Sequence, residues 1–89
     1  MDIKEKVTLA LQQRLQPEHL ELEEDGGISG VVVSAEFQRM SALDRQTLIS
    51  SALRNAPSKL TKAELRHVLA IAALTPAEYA ALGSNHNGR

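Results

Sequence analysis

An α+β fold is predicted for this chain, because its hydrophobic residues change their spacing partway along and because helix-capping patterns recur. Before Pro17 the apolar residues recur every three or four positions, which is the period of an amphipathic helix. After Pro17 they alternate with polar residues, as in a half-exposed strand. The predicted order is α-β-β-α-α-β-α, with strands near 19–24, 29–36 and 67–73 and helices near 3–15, 41–54, 61–66 and 76–82. We expect a three-stranded sheet with the helices 3–15, 41–54 and 76–82 packed on one face.

The first helix and the first strand are predicted from the residues at their ends. Asp2 followed by Glu5 forms a capping box that begins a helix. Pro17 ends that helix, because its ring and its missing N–H prevent helical hydrogen bonding. Leu20 and Leu22 alternate with polar residues in the next segment, so one side of this strand should be buried and the other exposed.

The second strand is predicted to occupy the centre of the sheet. Residues 25–27 read Asp-Gly-Gly, a turn sequence that joins hairpin strands. The strand that follows should extend over 28–37. Its continuous apolar run Val31–Val33 favours burial on both faces, which is the position of a central strand.

Three further capping patterns predict the remaining helices. Ser41–Asp44 and Thr61–Glu64 each place an acceptor side chain at a helix start. Thr75–Glu78 is the clearest, since it combines an N-cap threonine, proline at the first helical position and glutamate three residues after the cap. This last helix should end at Gly83. We therefore expect one domain over 1–83 and a disordered tail over 84–89.

The composition indicates a small globular domain. The chain has 89 residues, of which 43% are hydrophobic, and it contains no cysteine. Disulfides, thiolate metal sites and cysteine nucleophiles are therefore excluded. The sequence shows no apolar run long enough to span a membrane and no secretory leader, so we expect a cytoplasmic protein without a membrane partner.

Charge is balanced overall but segregated along the chain. The net charge of −1 does not favour a general nucleic-acid binder. Five acids and no Lys or Arg fall within 18–25, whereas four Lys or Arg residues and one acid fall within 54–66. Two faces of opposite sign should result. They are either ordinary solvated faces or binding surfaces.

Several motifs identify a resemblance to a known family. The segment 32–37 reads Val-Val-Ser-Ala-Glu-Phe, and it is followed by Met40-Ser41 and Arg45-Gln46. His67 precedes the Thr-Pro-Ala-Glu-Tyr segment at 75–79 by eight residues. These features, over roughly residues 3–82, resemble the BolA family, whose fold is a class II KH-like α+β fold with a three-stranded mixed sheet. The Met-Ser and Gln features look more like the acid-stress branch than the founding morphogene branch.

The resemblance implies a partner and a shared metal cluster. BolA-like proteins typically pair with monothiol glutaredoxins and share a [2Fe-2S] cluster, for which His67 is this chain's candidate ligand. The family usually has a His or Cys in the hairpin loop, where Gly27 stands here, and a glycine where Arg39 stands. Gly27→His should therefore strengthen cluster retention. The alternative is that His67 is an ordinary residue at a strand start. On its own the protein should bind neither a cluster nor zinc.

Nucleic-acid binding is the alternative function. The predicted helix pair 41–54 and 61–66 resembles a helix-turn-helix. A nucleic-acid or partner surface could be formed by basic residues of this region: Arg45, Arg54, Lys59, Lys62 and Arg66. A KH-type site, however, needs Gly-x-x-Gly between helices, and the turn 55–58 contains no glycine. The only Gly-x-x-Gly is 27–30, which falls in the predicted hairpin. Any nucleic-acid binding should therefore be weak.

No catalytic arrangement is visible in the sequence. There is no Ser-His-acid set, no phosphate-binding loop and no dinucleotide fingerprint, so we expect no enzyme activity. His19 and His86 have no ligand-like spacing and are assigned to a strand surface and to the tail. A monomer is expected, and a homodimer through an exposed sheet edge stays open.

Overall fold

The computed structural model describes residues 2–55 and 59–87, with side chains as far as residue 82 in the last helix. Its helices are α1 (Ile3–Leu15), α2 (Ala42–Arg54), α3 (Lys62–Leu65) and α4 (Pro76–Asn87), and its strands are β1 (His19–Glu24), β2 (Ile28–Val33) and β3 (Val68–Leu74). A 3₁₀ turn over Ala35–Phe37 separates β2 from α2. The predicted element order is confirmed.

The three strands form one mixed sheet in the order β1-β2-β3. β1 pairs antiparallel with β2, with Leu20 opposite Val32, and β3 pairs parallel with β2, with Ala73 opposite Val32. The parallel pairing requires a crossover, which α2 and α3 provide. The apolar run of β2 lies in the central strand, as predicted.

One face of the sheet carries the core. α1 packs against α2 and against β1 and β2, while α2 also contacts β3. Leu20 and Leu22 of β1 pack against a buried cluster that draws on α1, α2, β2, β3 and the segments between them: Val7, Ala10, Leu11, Leu15, Val32, Phe37, Ile49, Ala52, Leu53, Leu60, Ile71 and Ala73. The prediction that α1 and α2 cover one face is confirmed.

α4 takes a different position from the one expected. The ring of Tyr79 stacks on His19 with 4.8 Å between centroids. His19 directly precedes Leu20, whose side chain packs on the core. Because successive side chains of a strand alternate between faces, Tyr79 reaches the face opposite α1. The first turn of α4 thus wraps the end of the sheet rather than joining the helical layer.

The predicted extension of the second strand to residue 36 or 37 was wrong. β2 ends at Val33, because Ser34, although extended itself, caps the 3₁₀ turn in which the chain changes direction. The Ser34 hydroxyl accepts a hydrogen bond from the Glu36 N–H at 3.2 Å and donates to the Leu15 carbonyl at 3.4 Å. The 3₁₀ turn that follows brings Phe37, which is fully buried, into the core. An apolar period alone does not reveal such a cap.

The predicted end of the last helix was also wrong. α4 continues through Gly83 to Asn87, so residues 84–87 are helical where a disordered tail was expected. Glycine lowers helix stability by about 1 kcal/mol but ends a helix only when it adopts a left-handed conformation. Residues 88 and 89 lie outside the described part of the chain.

Within the described residues, no helix is long and apolar enough to cross a membrane.

Candidate functional site

His67 lies between the short helix α3 and the first residue of β3, with its side chain exposed to solvent. Its backbone is held on both sides. The His67 N–H donates to the Glu64 carbonyl at 3.0 Å, and the His67 carbonyl accepts from the Ile28 N–H at 2.6 Å. The imidazole is therefore accessible to a partner, while the backbone that carries it is held in place.

The hairpin loop between β1 and β2 lies directly beside His67. Ile28 is the first residue of β2 and pairs with Glu24 on one side and with Val68 on the other. The loop is closed by a hydrogen bond from the Asp25 N–H to the Gly27 carbonyl at 2.9 Å. The two places that the family resemblance associates with a cluster, the loop and the histidine, are therefore neighbours in this fold.

Gly27 has no room for a side chain. It is buried with φ +157°, and a Cβ there would lie 2.6 Å from Leu69 Cγ and 2.9 Å from the His67 carbonyl oxygen. A histidine at Gly27 would have to displace Leu69 and the His67 carbonyl, which opposes the predicted gain in cluster retention. Gly26 has φ +72° and nothing within 4 Å of a Cβ position. Histidine tolerates this left-handed region better than most residues.

The other histidines do not join His67. His19 lies at the opposite end of the sheet, where it pairs with Val33 and its Nε2 is 3.0 Å from the Tyr79 hydroxyl. The side chain of His86 is not among those described. In the described part of the chain, no group of three His, Cys, Asp or Glu residues could hold a metal ion. A metal site that used His67 would therefore need donors from outside the described residues.

The carboxylate nearest to His67 in the sequence is already paired. Glu64 Oε2 accepts a hydrogen bond from Lys6 Nζ at 2.7 Å, and its other oxygen accepts from the Thr61 N–H at 2.9 Å. The hydrogen bond from Lys6, followed by the one from Thr61, lowers the pKa of Glu64. This pair anchors α3 to α1 and fixes the residue from which β3 begins.

Arg45, predicted as part of a basic binding surface, is instead a structural residue. Its guanidinium binds both carboxylate oxygens of Glu78, at 2.7 and 3.2 Å, and also donates to the carbonyls of Met40 and Ala73. Only 14% of its side chain is exposed. The four other predicted basic residues, Arg54, Lys59, Lys62 and Arg66, are exposed.

The edge of β3 is covered by side chains of α2, which sequence reasoning did not anticipate. Gln46 Nε2 donates to the Ile71 carbonyl at 2.9 Å, and Arg45 donates to the Ala73 carbonyl at the same distance. Edge strands expose such groups to unwanted pairing. The adjacent pair Arg45-Gln46 therefore protects this edge at Ile71 and Ala73. The sequence signals the pair only through the family motif, since its partners lie 25 to 33 residues away.

Solved structures of similar proteins agree with this fold. A solution structure of BolA1 from Mus musculus is 32% identical, with a TM-score of 0.70, over 93% of this chain and 72% of the mouse chain. A bol-like protein from Babesia bovis is 29% identical, with a TM-score of 0.67, over 93% of this chain and 95% of that one. The BolA domain of SufE1 from Arabidopsis thaliana is also 29% identical, with a TM-score of 0.67, over 83% of this chain and 92% of that domain.

A three-stranded mixed sheet with this crossover and this order of helices and strands defines a BolA-like α+β domain. The identity and coverage of the mouse structure show that the chain belongs to the BolA family. No protein-family model matches the sequence, and the comparison with curated proteins finds no match.

The two loop glycines should differ in their tolerance of a side chain. Gly26→Ala should cost about 1 kcal/mol, because only the left-handed conformation opposes it. Gly27→Ala should cost about 1–3 kcal/mol more, because its Cβ must displace Leu69 and the His67 carbonyl. Urea unfolding of the two variants measures the difference, and equal stabilities would contradict the packing described for Gly27.

The Arg45–Glu78 pair should make stability depend on acid pH. The hydrogen bonds from Arg45 and then from the Thr75 backbone lower the pKa of Glu78 from 4.5 to about 2. A carboxylate with a depressed folded-state pKa stabilises the fold above its unfolded pKa, and that contribution is lost as the pH falls from 4.5 through about 2. Glu78→Gln should flatten stability across this window in urea unfolding at a series of pH values.

The matched control for that experiment is Glu36→Gln. It removes the exposed Arg14–Glu36 ion pair, a single contact at 3.3 Å, and should leave the pH profile close to that of the parent. A Glu78→Gln profile as steep as that of the parent would show that the pair does not govern the acid response.

Proposed function

We propose that this protein is a cytoplasmic, non-enzymatic binding protein that pairs with a monothiol glutaredoxin and contributes His67 as one ligand of a shared [2Fe-2S] cluster. The observation that supports this most is the exposed imidazole of His67 beside the hairpin loop. Its backbone is held by hydrogen bonds to Glu64, at 3.0 Å, and from Ile28, at 2.6 Å. Membership of the BolA family supplies the partner class. The Met40-Ser41 and Arg45-Gln46 pairs favour the acid-stress branch.

The metal-binding side chains of this chain fit a cluster site shared with a partner better than a site formed by this chain alone. An uncharged imidazole is an accepted ligand of iron, and histidine ligation raises a cluster's reduction potential relative to all-thiolate ligation. His67 is the histidine at this end of the sheet among the described residues, with an exposed side chain and a hydrogen-bonded backbone. With Gly27 in the loop, this chain provides one ligand and the partner side must provide the rest.

The charged residues around His67 favour a partner whose surface carries both positive and negative charges. Glu24, paired with Ile28, carries the acidic end of β1 to one side of the histidine. Lys62 and Arg66 lie in and directly after α3, on the other side, and all three side chains are exposed. Opposite charges on the two flanks orient an approaching partner and raise its association rate. Such flanks support an apo-complex that does not depend on the cluster.

His67→Ala should abolish the spectral change that follows mixing with a cluster-loaded monothiol glutaredoxin. It should leave much of the affinity for the apo-glutaredoxin, because the charged flanks are unchanged. Visible circular dichroism reports the cluster, and size-exclusion elution reports the complex. His19→Ala is the matched control, since it removes an imidazole at the opposite end of the sheet.

The variant Gly26→His provides a second test of the cluster site in the same mixing experiment. A loop imidazole at this open position should slow cluster loss from the mixed complex, because it offers a further ligand next to His67. An unchanged spectrum with His67→Ala would refute the ligand assignment, and His67 would then be a structural residue at the start of β3.

Nucleic-acid binding is a second candidate function, supported by the exposed bases Arg54, Lys59, Lys62 and Arg66. Because Arg45 is paired with Glu78, fewer basic side chains are available to contact phosphates. The Gly-x-x-Gly of 27–30 lies in the hairpin and β2, as predicted, and cannot serve as a KH loop. The turn between α2 and α3 falls partly in 56–58, outside the described residues.

Binding to duplex DNA should therefore be micromolar or weaker and insensitive to sequence. The double variant Lys62→Glu, Arg66→Glu should weaken it further, and the affinity should fall only gently with salt because few counterions are released. Fluorescence anisotropy with two unrelated duplexes at several salt concentrations measures this. A tight, sequence-dependent complex near physiological salt would favour the nucleic-acid function over the glutaredoxin partnership.

A further inference from the structure

A groove of about 400 Å³ separates the second half of α2 from α3 and the first half of β3. It is distinct from the His67 imidazole and the hairpin loop, neither of which lines it. Its walls come from three consecutive elements of the chain, which pack together around it. A groove built by packed elements keeps its shape without a ligand, which lowers the cost of binding one.

The floor of the groove is apolar. Ile49, Leu53 and Ile71 form it, and each is no more than 4% exposed, so it is continuous with the core. Leu69 stands on the β3 wall with 61% of its surface exposed. An uncovered leucine beside an apolar floor provides a seat for one apolar side chain of a partner.

The rim of the groove is positive. Arg54 enters from α2 and Lys62 from α3, and no acidic residue is found among the described residues that line the groove. The nearest acid of α3, Glu64, is turned toward α1, where it pairs with Lys6 at 2.7 Å. Two unopposed cations across an apolar floor complement carboxylates that flank an apolar anchor.

The β3 edge determines how a ligand can lie in the groove. The Ile71 and Ala73 carbonyls are occupied by Gln46 and Arg45, so a new strand cannot extend along the edge beyond Leu69 without displacing them. A segment in the groove must therefore bind through its side chains. This excludes simple strand addition as the mode of recognition.

We propose that this groove binds an acidic peptide segment of a partner protein, with one apolar side chain seated between Leu53 and Leu69 and carboxylates beside Arg54 and Lys62. The lining residues include no aromatic ring on which a base could stack, and the two rim cations could neutralise only two phosphates. Both observations favour the peptide over a nucleic acid. The site requires neither His67 nor a cluster, so it extends beyond the proposed function.

The probe is a fluorescein-labelled peptide of about ten residues in which two leucines are set among glutamates, and its partner probe has lysines in place of the glutamates. The acidic peptide should bind and the basic one should not. The double variant Arg54→Glu, Lys62→Glu should weaken binding at least about tenfold, because it reverses both rim charges. Leu69→Ser should weaken it as well, by removing the apolar wall.

The matched control is the double variant Lys4→Glu, Arg39→Glu, which makes the same charge change at exposed positions outside the groove. It should bind the acidic peptide as the parent does, and so should His67→Ala. Circular dichroism of each variant verifies folding. Amide chemical shifts of the parent should move on titration at Leu53, Leu65 and Leu69.

Three outcomes would overturn the proposal. One is the absence of shift changes at the groove up to millimolar acidic peptide. Another is binding that the Arg54→Glu, Lys62→Glu variant leaves unchanged. The third is a protein that binds single-stranded DNA but not the acidic peptide, with the DNA binding lost in the Arg54→Glu, Lys62→Glu variant. That result would make the groove a nucleic-acid site. Self-association that depends on Arg54 and Lys62 would instead assign it to a second copy of this chain.

Discussion

The parallel pairing of β3 with the central strand β2 determines where every candidate functional residue lies. β2 and β3 run in the same direction, and their register sets Ile28 beside Val68, so the residues that enter the two strands meet. His67 thereby lies against Ile28 and the loop that precedes it, a contact made by the 2.6 Å hydrogen bond from the Ile28 N–H. The crossover that the parallel arrangement demands supplies α2 and α3, which form the other walls of the groove.

Arg45 ties the remaining elements to that arrangement. It extends from the first turn of α2 to the edge of β3 and to the first turn of α4, and its guanidinium carbon lies 5.9 Å from the centre of the Phe37 ring. A guanidinium presents several donors in a fixed plane, so one side chain can serve two carbonyls and a carboxylate together. Removing Arg45 would leave the Ala73 carbonyl and the Glu78 carboxylate without these hydrogen bonds. Its contacts are therefore those of a residue that stabilises the fold.

The order and type of the elements could be predicted from the sequence because each is encoded locally. The capping boxes of Asp2 with Glu5 and of Thr61 with Glu64 form as expected. Contacts between distant residues could not be predicted in the same way. The pairing of Arg45 with Glu78 and the stacking of Tyr79 on His19 join residues 33 and 60 positions apart, and they change the roles assigned to Arg45 and to α4. His67 could be singled out only through the family motif.

Gly27 connects the candidate cluster site to the groove. The space that a Cβ would take at Gly27 is filled by the Leu69 side chain at 2.6 Å, and Leu69 also forms one wall of the groove. In the usual family pattern the loop carries a side chain that can bind a metal, whereas here the loop backbone closes against β3. A side chain at Gly27 would displace Leu69 and alter the groove. A ligand at Gly26 would leave both in place, because that position opens to solvent. Gly27 thus has two effects. It carries no side chain that could bind a metal, and it leaves the space in which Leu69, the apolar wall of the groove, packs.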